Sequence, residues 1–444
     1  MSDLASSSRR ELLKQVAVGA AAVGLSGYGA PAAGRVLGAN ERINIGVIGV
    51  GGMGSGHLGR LADWARQPNP KVAVRAVCDV WDKRLEAAKA RSGGEGYRDY
   101  RRLLERNDID AVLIATPDHW HAKISIEAME AGKGVYCEKP MTLYWHEAKK
   151  VAETAARTKQ VFQCGAQGCN ADRWRVAQRI IQQGGIGKVV WSQTGAFRNN
   201  PNGDWNWGID PSANPTNLDW DMWLGWRFGL ASKRPWEPER YFRFRKFWDY
   251  SGGLATDLLY HALSHMLIAL GPEFPTRVVA TGGNYVFGLE NDNREVPDSF
   301  FMTVDYPSQH TVVLPATQVN EDGLAELIRG QHATMHFEGP GIVVRVQRPF
   351  AGKMLVKASS GVFEGAEIVR NDQGEVAEIR IATDTNEDQG AHVANFLDCV
   401  RSREQPHLNA EIAYRCMVAI ALGVASYREK KVKLFDPERQ KVIQ

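Results

Sequence analysis

The sequence predicts an α/β protein of two units: a doubly wound parallel sheet, then a mainly antiparallel open sheet with helices on one face. Three observations carry this. From Ile43 to Gly165 short apolar runs alternate with helically spaced stretches, the pattern of βαβ units. A glycine-rich turn stands between the first apolar run and the first helical stretch. Beyond about Gln167 the alternation gives way to long irregular stretches and then to successive β patterns.

In chain order, Ile43–Ile48 reads as a strand and Gly51–Ala65 as a helix. Val72–Val77 is a strand, Lys83–Arg91 a helix, Tyr100–Arg106 a helix and Ala111–Ala115 a strand. Ala122–Ala131 and Trp145–Arg157 have helical spacing, followed by strands at Gly134–Cys137 and Val161–Gly165. Arg173–Gln183 reads as a linking helix, with a strand near Lys188–Thr194. Asn199 to Tyr250 is rich in Trp, Asn, Pro and Arg and reads as long loops. Leu254–Leu270 is a helix after Gly252-Gly253. Strand patterns follow at Arg277–Ala280, Ser299–Tyr306, Thr311–Val319, Ala333–Phe337 and Ile342–Gln347. In the second of these Phe300, Met302, Val304 and Tyr306 alternate with Phe301, Thr303 and Asp305, which leaves the inward face open. Helices return at Val393–Val400 and Ile412–Tyr427. The expected division is a leader and short linker over 1–39, a dinucleotide-binding unit over 40–167, and a substrate-binding and oligomerisation unit over 168–444.

A chain of 444 residues is too long for one compact core. Its 44% hydrophobic and 24% charged content are ordinary for a globular protein. The formal charge of +3 is small, and Arg9, Arg10, Lys14 and Arg35 against Asp3 and Glu11 put part of it in the leader. No nucleic-acid partner is expected. None of the cysteines Cys78, Cys137, Cys164, Cys169, Cys399 and Cys416 forms a C-x-x-C pair. Buried thiols are favoured over a disulfide framework, with one bridge, Cys164 to Cys169, left open.

Gly49-Val50-Gly51-Gly52-Met53-Gly54 is G-x-G-x-x-G directly after the first strand. In that context it is the Rossmann fingerprint. Gly49 permits the tight turn, Gly51 leaves room for a pyrophosphate, and Gly54 lets the helix pack on the sheet. The helix N-terminus faces the phosphates with its partial positive charge. Asp79 ends the second strand, 25 residues after Gly54, where an acid accepts from the adenosine ribose. NAD is therefore expected ahead of NADP, although Arg84 lies close by in sequence.

Ser8-Arg9-Arg10-Glu11-Leu12-Leu13-Lys14, followed by the apolar Val16–Leu25, has the form of a signal peptide. The apolar stretch is short of the roughly 20 residues a membrane span needs. Ala30-Pro31-Ala32 offers small residues for cleavage. The paired arginines resemble a twin-arginine signal; a general secretory signal or an uncleaved anchor are the other readings. The resemblance implies the twin-arginine export machinery as a partner, a periplasmic mature protein without a membrane span, and a dinucleotide loaded before export and tightly bound.

Thr116-Pro117-Asp118-His119-Trp120-His121 and Glu138-Lys139-Pro140 add a further resemblance. With the glycine fingerprint and a later D-x-x-x-H they resemble the glucose–fructose oxidoreductase, inositol dehydrogenase and MocA family (Gfo/Idh/MocA). The resemblance runs from Asn44 to the C-terminal helices. It implies that Thr116, Pro117 and His121 line the cofactor, together with Gly49, Gly51, Gly52, Met53, Gly54, Asp79, Glu138 and Lys139. It implies Lys139, Asp257 and His261 as the catalytic set. The family often has Gly before that histidine, where this chain has Tyr260.

The residue chemistry fits the same roles. His261, with an ordinary pKa near about 6.5, can take the proton of a hydroxyl being oxidised. Asp257 lies four residues earlier, one helical turn away at roughly 6 Å of rise, and can orient the imidazole or bind a substrate hydroxyl. Lys139 can steady alkoxide charge. Each also has a plainer reading: Asp257 as a helix cap, His121 as a helix-start residue, Lys139 as a turn lysine. His265 extends the spacing to D-x3-H-x3-H, which also suits a metal, but no metal is expected. The tryptophans of the long loops can stack on sugar rings, with Arg240, Arg243 and Arg245 as donors, although packing is the commoner use of any one of them.

The expected function is NAD(P)-dependent hydride transfer to or from a sugar or polyol, in a homo-oligomer. The alternatives are a redox-neutral, NAD-dependent glycosidase and a non-catalytic binding protein that kept the fold.

Overall fold

The computed structural model describes residues 42–288, 292–339, 341–384 and 388–443. The leader, with Arg9, Arg10 and Ala30–Ala32, lies outside the described residues.

The first sheet has six strands, all in parallel register. They are β1 (Ile43–Ile48), β2 (Val72–Cys78), β3 (Glu95–Tyr97), β4 (Ala111–Ile114), β5 (Gly134–Glu138) and β6 (Phe162–Gly165), in the spatial order β3-β2-β1-β4-β5-β6. The connecting helices are α1 (Gly52–Ala65), α2 (Asp82–Ser92), α3 (Tyr100–Leu104), α4 (Asp118–Glu130) and α5 (Trp145–Thr158). Every residue of β1, β4 and β5 is buried, because helices cover both faces; this is why those strands read as unbroken apolar runs. The strand order reverses between β1 and β4, which opens a crevice at their carboxyl ends. Strand β3 was not expected: Glu-Gly-Tyr at a sheet edge has no alternation to read.

The second sheet is mixed and mainly antiparallel; in spatial order it runs β16 (Glu367–Arg370), β17 (Val376–Ala382), β15 (Gly341–Val346), β14 (Ala333–His336), β13 (Leu327–Gly330), β7 (Val189–Gln193), β11 (His310–Thr317), β10 (Ser299–Tyr306), β9 (Arg277–Gly283), β18 (Lys433–Asp436) and β19 (Lys441–Val442), with β8 (Ala196–Asn199) and β12 (Val319–Asn320) paired beside β11. Its central members are β7, β9, β10 and β11. Strand β10 buries Phe300, Met302, Val304 and Tyr306. The long helix Ala410–Glu429 decides that face: a Cβ on its Gly423 would stand 3.0 Å from the Met302 sulfur. Among the described residues this helix alone is long and apolar enough to cross a membrane, and 67% of its apolar window is buried inside the protein.

The two C-terminal helices part company, Ala410–Glu429 covering the second sheet. Helix Gln389–Ser402 returns to the first, packing Val393, Phe396 and Val400 against Ile45, Val47 and Leu113. Residues 199–250 build an aromatic core of their own from Trp220, Trp223, Tyr241, Phe247 and Tyr250, joined by Trp81 of the first domain. Its short helices are Trp220–Leu224 and Pro238–Phe242. All six cysteines are buried, with no disulfide among the described residues.

His119 bonds the Trp223 carbonyl (3.0 Å) and His392 the Cys164 carbonyl (2.9 Å), one across each interdomain seam. Burial pushes their pKa values down to about 3 and about 4. Folded-state values below the unfolded 6.5 mean the unfolded chain takes up the protons first, so stability falls as pH drops below 6.5. Chemical denaturation should show a loss of about 2 kcal/mol per histidine between about pH 7 and about pH 5. His392→Gln should remove one such share; a stability flat across that range would refute the assignment.

Candidate active site

The crevice at the ends of β1 and β4 is a cleft of about 750 Å³. Gly49 leaves β1 at φ +82°, and a Cβ there would come 2.8 Å from the Ala115 carbonyl. A Cβ on Gly54 would stand 1.8 Å from the Gly49 oxygen, so α1 packs directly on the turn and Gly54 itself does not face the cleft. Gly49, Gly51, Gly52 and Met53 line the wall at the N-terminus of α1, where unpaired amides favour an anion.

Asp79 follows β2 and is 6% exposed. One carboxylate oxygen accepts from Val50 N (2.9 Å) and the other from Trp81 N (3.0 Å), which ties the acid to the glycine turn. Burial raises its pKa, and Arg84 acts against that. Thr116 and Pro117 form the facing wall. His121, expected among the cofactor contacts, lies behind the Thr116–Pro117 wall. It is 1% exposed and does not line the cleft. Its ring nitrogens lie 2.6 Å from the Pro140 carbonyl and 2.9 Å from the Thr116 carbonyl, so it staples the two motif turns together.

At the other end of the cleft Glu138, Lys139, Asp257 and His261 come together. Glu138 Oε1 lies 2.7 Å from Nε2 of the fully buried His57 on α1. Lys139 Nζ donates to Asp257 Oδ1 (2.6 Å) and to the Asp257 carbonyl (2.8 Å). The expected helix Leu254–Leu270 is not regular. Ala255–Leu259 forms a π turn before the α-helix Tyr260–Leu270, and the Asp257 carbonyl within it faces Lys139. Such a wide turn is common at functional positions.

Two further residues converge on Asp257, one offered by the sequence only as a sugar donor among three arginines and the other only as one of the loop tryptophans. Arg245 Nε donates to Oδ1 (2.8 Å), and Trp205 Nε1 to Oδ2 (3.3 Å) from a backbone held at φ +70°. A non-glycine residue in that region marks local strain, which here aims the indole at the carboxylate. Nothing in R-Y-F-R-F-R-K-F distinguishes Arg245 from its neighbours; Arg240 and Arg243 pair with glutamates outside the cleft. Burial pushes the Asp257 pKa up, but Lys139 and Arg245 outweigh it and hold the acid well below the usual carboxylate range.

Asp257 is thus committed to two cations and an indole, and it makes no hydrogen bond to His261 among the described residues. His261 lines the cleft, and burial, followed by Lys139, lowers its pKa well below 6.5. The ring is neutral near pH 7 and able to accept a proton. His265 belongs to another cluster: Nε2 lies 2.7 Å from Glu326, and the ring stacks on Trp174 at 4.3 Å.

A glycine turn at a helix start, an acid after β2 and a Lys–Asp–His cluster across a domain seam define a two-domain protein built around a dinucleotide cleft. The comparisons agree. Residues 43–166 match the model of an oxidoreductase family with an NAD-binding Rossmann fold. Residues 176–281 and 229–434 match its C-terminal alpha/beta domains. The chain belongs to the Gfo/Idh/MocA oxidoreductase family. A levoglucosan dehydrogenase of Pseudarthrobacter phenanthrenivorans is 32% identical over 192 residues, 42% of this chain and 45% of that protein. A glycosyl hydrolase family 109 protein of Shewanella pealeana is 33% identical over 132 residues, 27% of each chain. The aligned stretches span less than half the length of these relatives. A levoglucosan dehydrogenase solved with NADH and L-sorbose shares the fold at a TM-score of 0.62 and 17% identity, over 88% of this chain and 98% of that one.

Removing the shared carboxylate would leave the buried Lys139 and the partly buried Arg245 as uncompensated cations. Asp257→Ala should therefore lower folding stability by about 3–5 kcal/mol in denaturant titration. A loss under about 1 kcal/mol would show that the cluster is solvated like a surface pair.

Proposed function

We propose that this protein transfers a hydride between a bound nicotinamide and a hydroxyl or carbonyl carbon of a sugar or polyol. The observation that carries the reading is the meeting of Lys139, Asp257 and His261 at one end of the dinucleotide cleft. The cradle suits the cofactor: Gly49 makes the tight turn against Ala115 that no side chain would allow, Gly51 adds no side chain to the cleft wall, the start of α1 offers amides to phosphates, and Asp79 offers a carboxylate to ribose hydroxyls. That carboxylate favours NAD over NADP, since a 2′-phosphate would meet like charge. A nicotinamide held there supplies the hydride chemistry.

The chain's own residues handle the proton and the charge. His261, neutral at working pH, accepts the substrate hydroxyl proton. Lys139 keeps one ammonium proton beyond the two it gives to Asp257, and that donor steadies the oxygen as negative charge develops. Asp257 and Arg245 are positioning residues that fix the lysine. Trp207, half-exposed at the rim beside Arg245, offers an aromatic face to a sugar ring.

The second reading is a glycosidase that oxidises, eliminates, adds water and reduces with no net redox change. The family 109 relative favours it, and so does export away from free dinucleotide. The two part on product. A hydrolase releases free sugar from glycosides without an acceptor; an oxidoreductase needs an acceptor or added dinucleotide. For either, His261→Asn should lower kcat by about 10²–10⁴-fold. The acid limb of kcat/KM should lie below pH 6.5, because the active base is lost only as pH falls through a depressed pKa. Full activity in His261→Asn, or a limb above 6.5, would remove His261 from the role.

We also propose twin-arginine export to the periplasm, supported by S-R-R-x-L-L-K, and a homo-oligomer formed on the outer face of the second sheet, where Val279 and Phe301 are exposed. Replacing Arg9 and Arg10 by Lys should leave the protein in the cytoplasm on fractionation; unchanged export would point to the general secretory route.

A further inference from the structure

The loop after β2 is not an open edge of the first domain. It is joined to residues 210–242 of the second domain by main-chain bonds. Asp82 N donates to the Asn217 carbonyl (3.0 Å), Asp219 N donates to the Val80 carbonyl (2.9 Å), and Trp81 and Leu218 form a β-bridge. Lys83 pairs with Asp210 at 2.6 Å. The loop that carries the ribose acid therefore cannot swing outward unless part of the second domain moves with it.

Arg84 sits inside this clasp. Its guanidinium lies 5.2 Å from the Trp81 ring, 5.2 Å from the Tyr241 ring and 5.9 Å from the Phe242 ring. Nη1 donates to the Tyr241 hydroxyl at 3.1 Å. The same nitrogen stands 3.1 Å from the point where a Cβ on Gly51 would be. Arg84 is also the charged neighbour that most opposes the effect of burial on Asp79. A fixed cation thus lies between the glycine that admits the pyrophosphate and the acid that meets the ribose. An arginine at a helix start would ordinarily sample many rotamers; three ring faces and a tyrosine hydroxyl hold this one in place.

We infer that residues 210–242 of the second domain complete the dinucleotide site: Tyr241 and Phe242 hold Arg84 over the phosphate-binding turn, and the clasp makes the dinucleotide a resident group that is not released at each turnover. The inference rests on the reading of this cleft as a dinucleotide site. Held this way, the Arg84 charge stands at the turn that would take the diphosphate, with Tyr241 and Phe242 lining the same cleft around it. The design suits a protein working where no free dinucleotide can replace a lost one.

The test uses the mature full chain, loaded with NADH and chased with excess NAD, with release followed by NADH fluorescence; ADP serves as a second probe lacking nicotinamide. Arg84→Gln should speed NADH release at least about tenfold, weaken ADP by a similar factor and flatten the salt dependence of binding, because one cation–phosphate contact is gone. Phe242→Ala and Tyr241→Phe should speed release by smaller factors. The melting temperature without dinucleotide should stay near the parental value in Arg84→Gln, which separates a phosphate contact from simple domain packing. Parental release rates in both Arg84→Gln and Phe242→Ala would overturn the inference and leave the dinucleotide site standing. A parental protein that binds neither NADH nor ADP would overturn both.

Discussion

One carboxylate organises this molecule. Asp257 Oδ1 accepts from Lys139 at the end of β5 and from Arg245 in the aromatic stretch, while Asp257 itself lies in the π turn that opens the second domain's central helix. Three distant parts of the chain are therefore held at one point. Taking such charges out of water is costly, and the cost is met only when geometry and hydrogen bonding are nearly complete. With both cations and the Trp205 indole in place, the acid stays ionised despite burial. That requirement is one of several contacts that hold the two domains together at the cleft.

The same arrangement divides the chemical labour. An aspartate one turn before a histidine invites the reading of a carboxylate–imidazole pair. Here the carboxylate is committed to two cations, and burial and Lys139 outweigh the opposing charge of Asp257 to keep the His261 pKa low. The result is a neutral, weak base next to a fixed ammonium. That pairing suits a reaction in which a hydroxyl must lose a proton while its oxygen is stabilised. The buried contact between His57 and Glu138 holds the motif turn from behind, and His121 bridges that turn to the end of β4.

The first domain was largely legible from the residue order. Strands buried on both faces read as plain apolar runs, and Gly49 and Gly54 stand where only glycine fits. The second domain was less so. Leu327–Gly330 and Val376–Ala382 became strands by pairing with Val189–Gln193 and Gly341–Val346, well apart in the chain, and Glu367–Arg370 joined the sheet edge as a hairpin partner of Val376–Ala382, which short mixed sequences do not announce. The inward face of β10 was undecidable locally, since both faces carry phenylalanine; the helix containing Gly423 settled it. Helix Gln389–Ser402 shows the same limit, because its spacing marks an apolar stripe but not which sheet receives it.

Local pattern was enough for the glycine turn, the acid after β2, the E-K-P turn and the D-x-x-x-H helix, because each depends on backbone geometry or side-chain chemistry within a few residues. Partnership depended on tertiary structure. The sequence marked Arg84 only as a neighbour of Asp79 and Arg245 only as one of three donors, and left Trp205 among the loop tryptophans. They matter because the folded chain brings Arg245 and Trp205 to Asp257, and encloses Arg84 between Trp81, Tyr241 and Phe242. His121 shows the converse: a motif residue whose type suggested a cofactor contact is turned by its two carbonyl neighbours into a structural staple. Electrostatic and hydrogen-bond partners are chosen across space, and spacing along the chain carries no record of that choice.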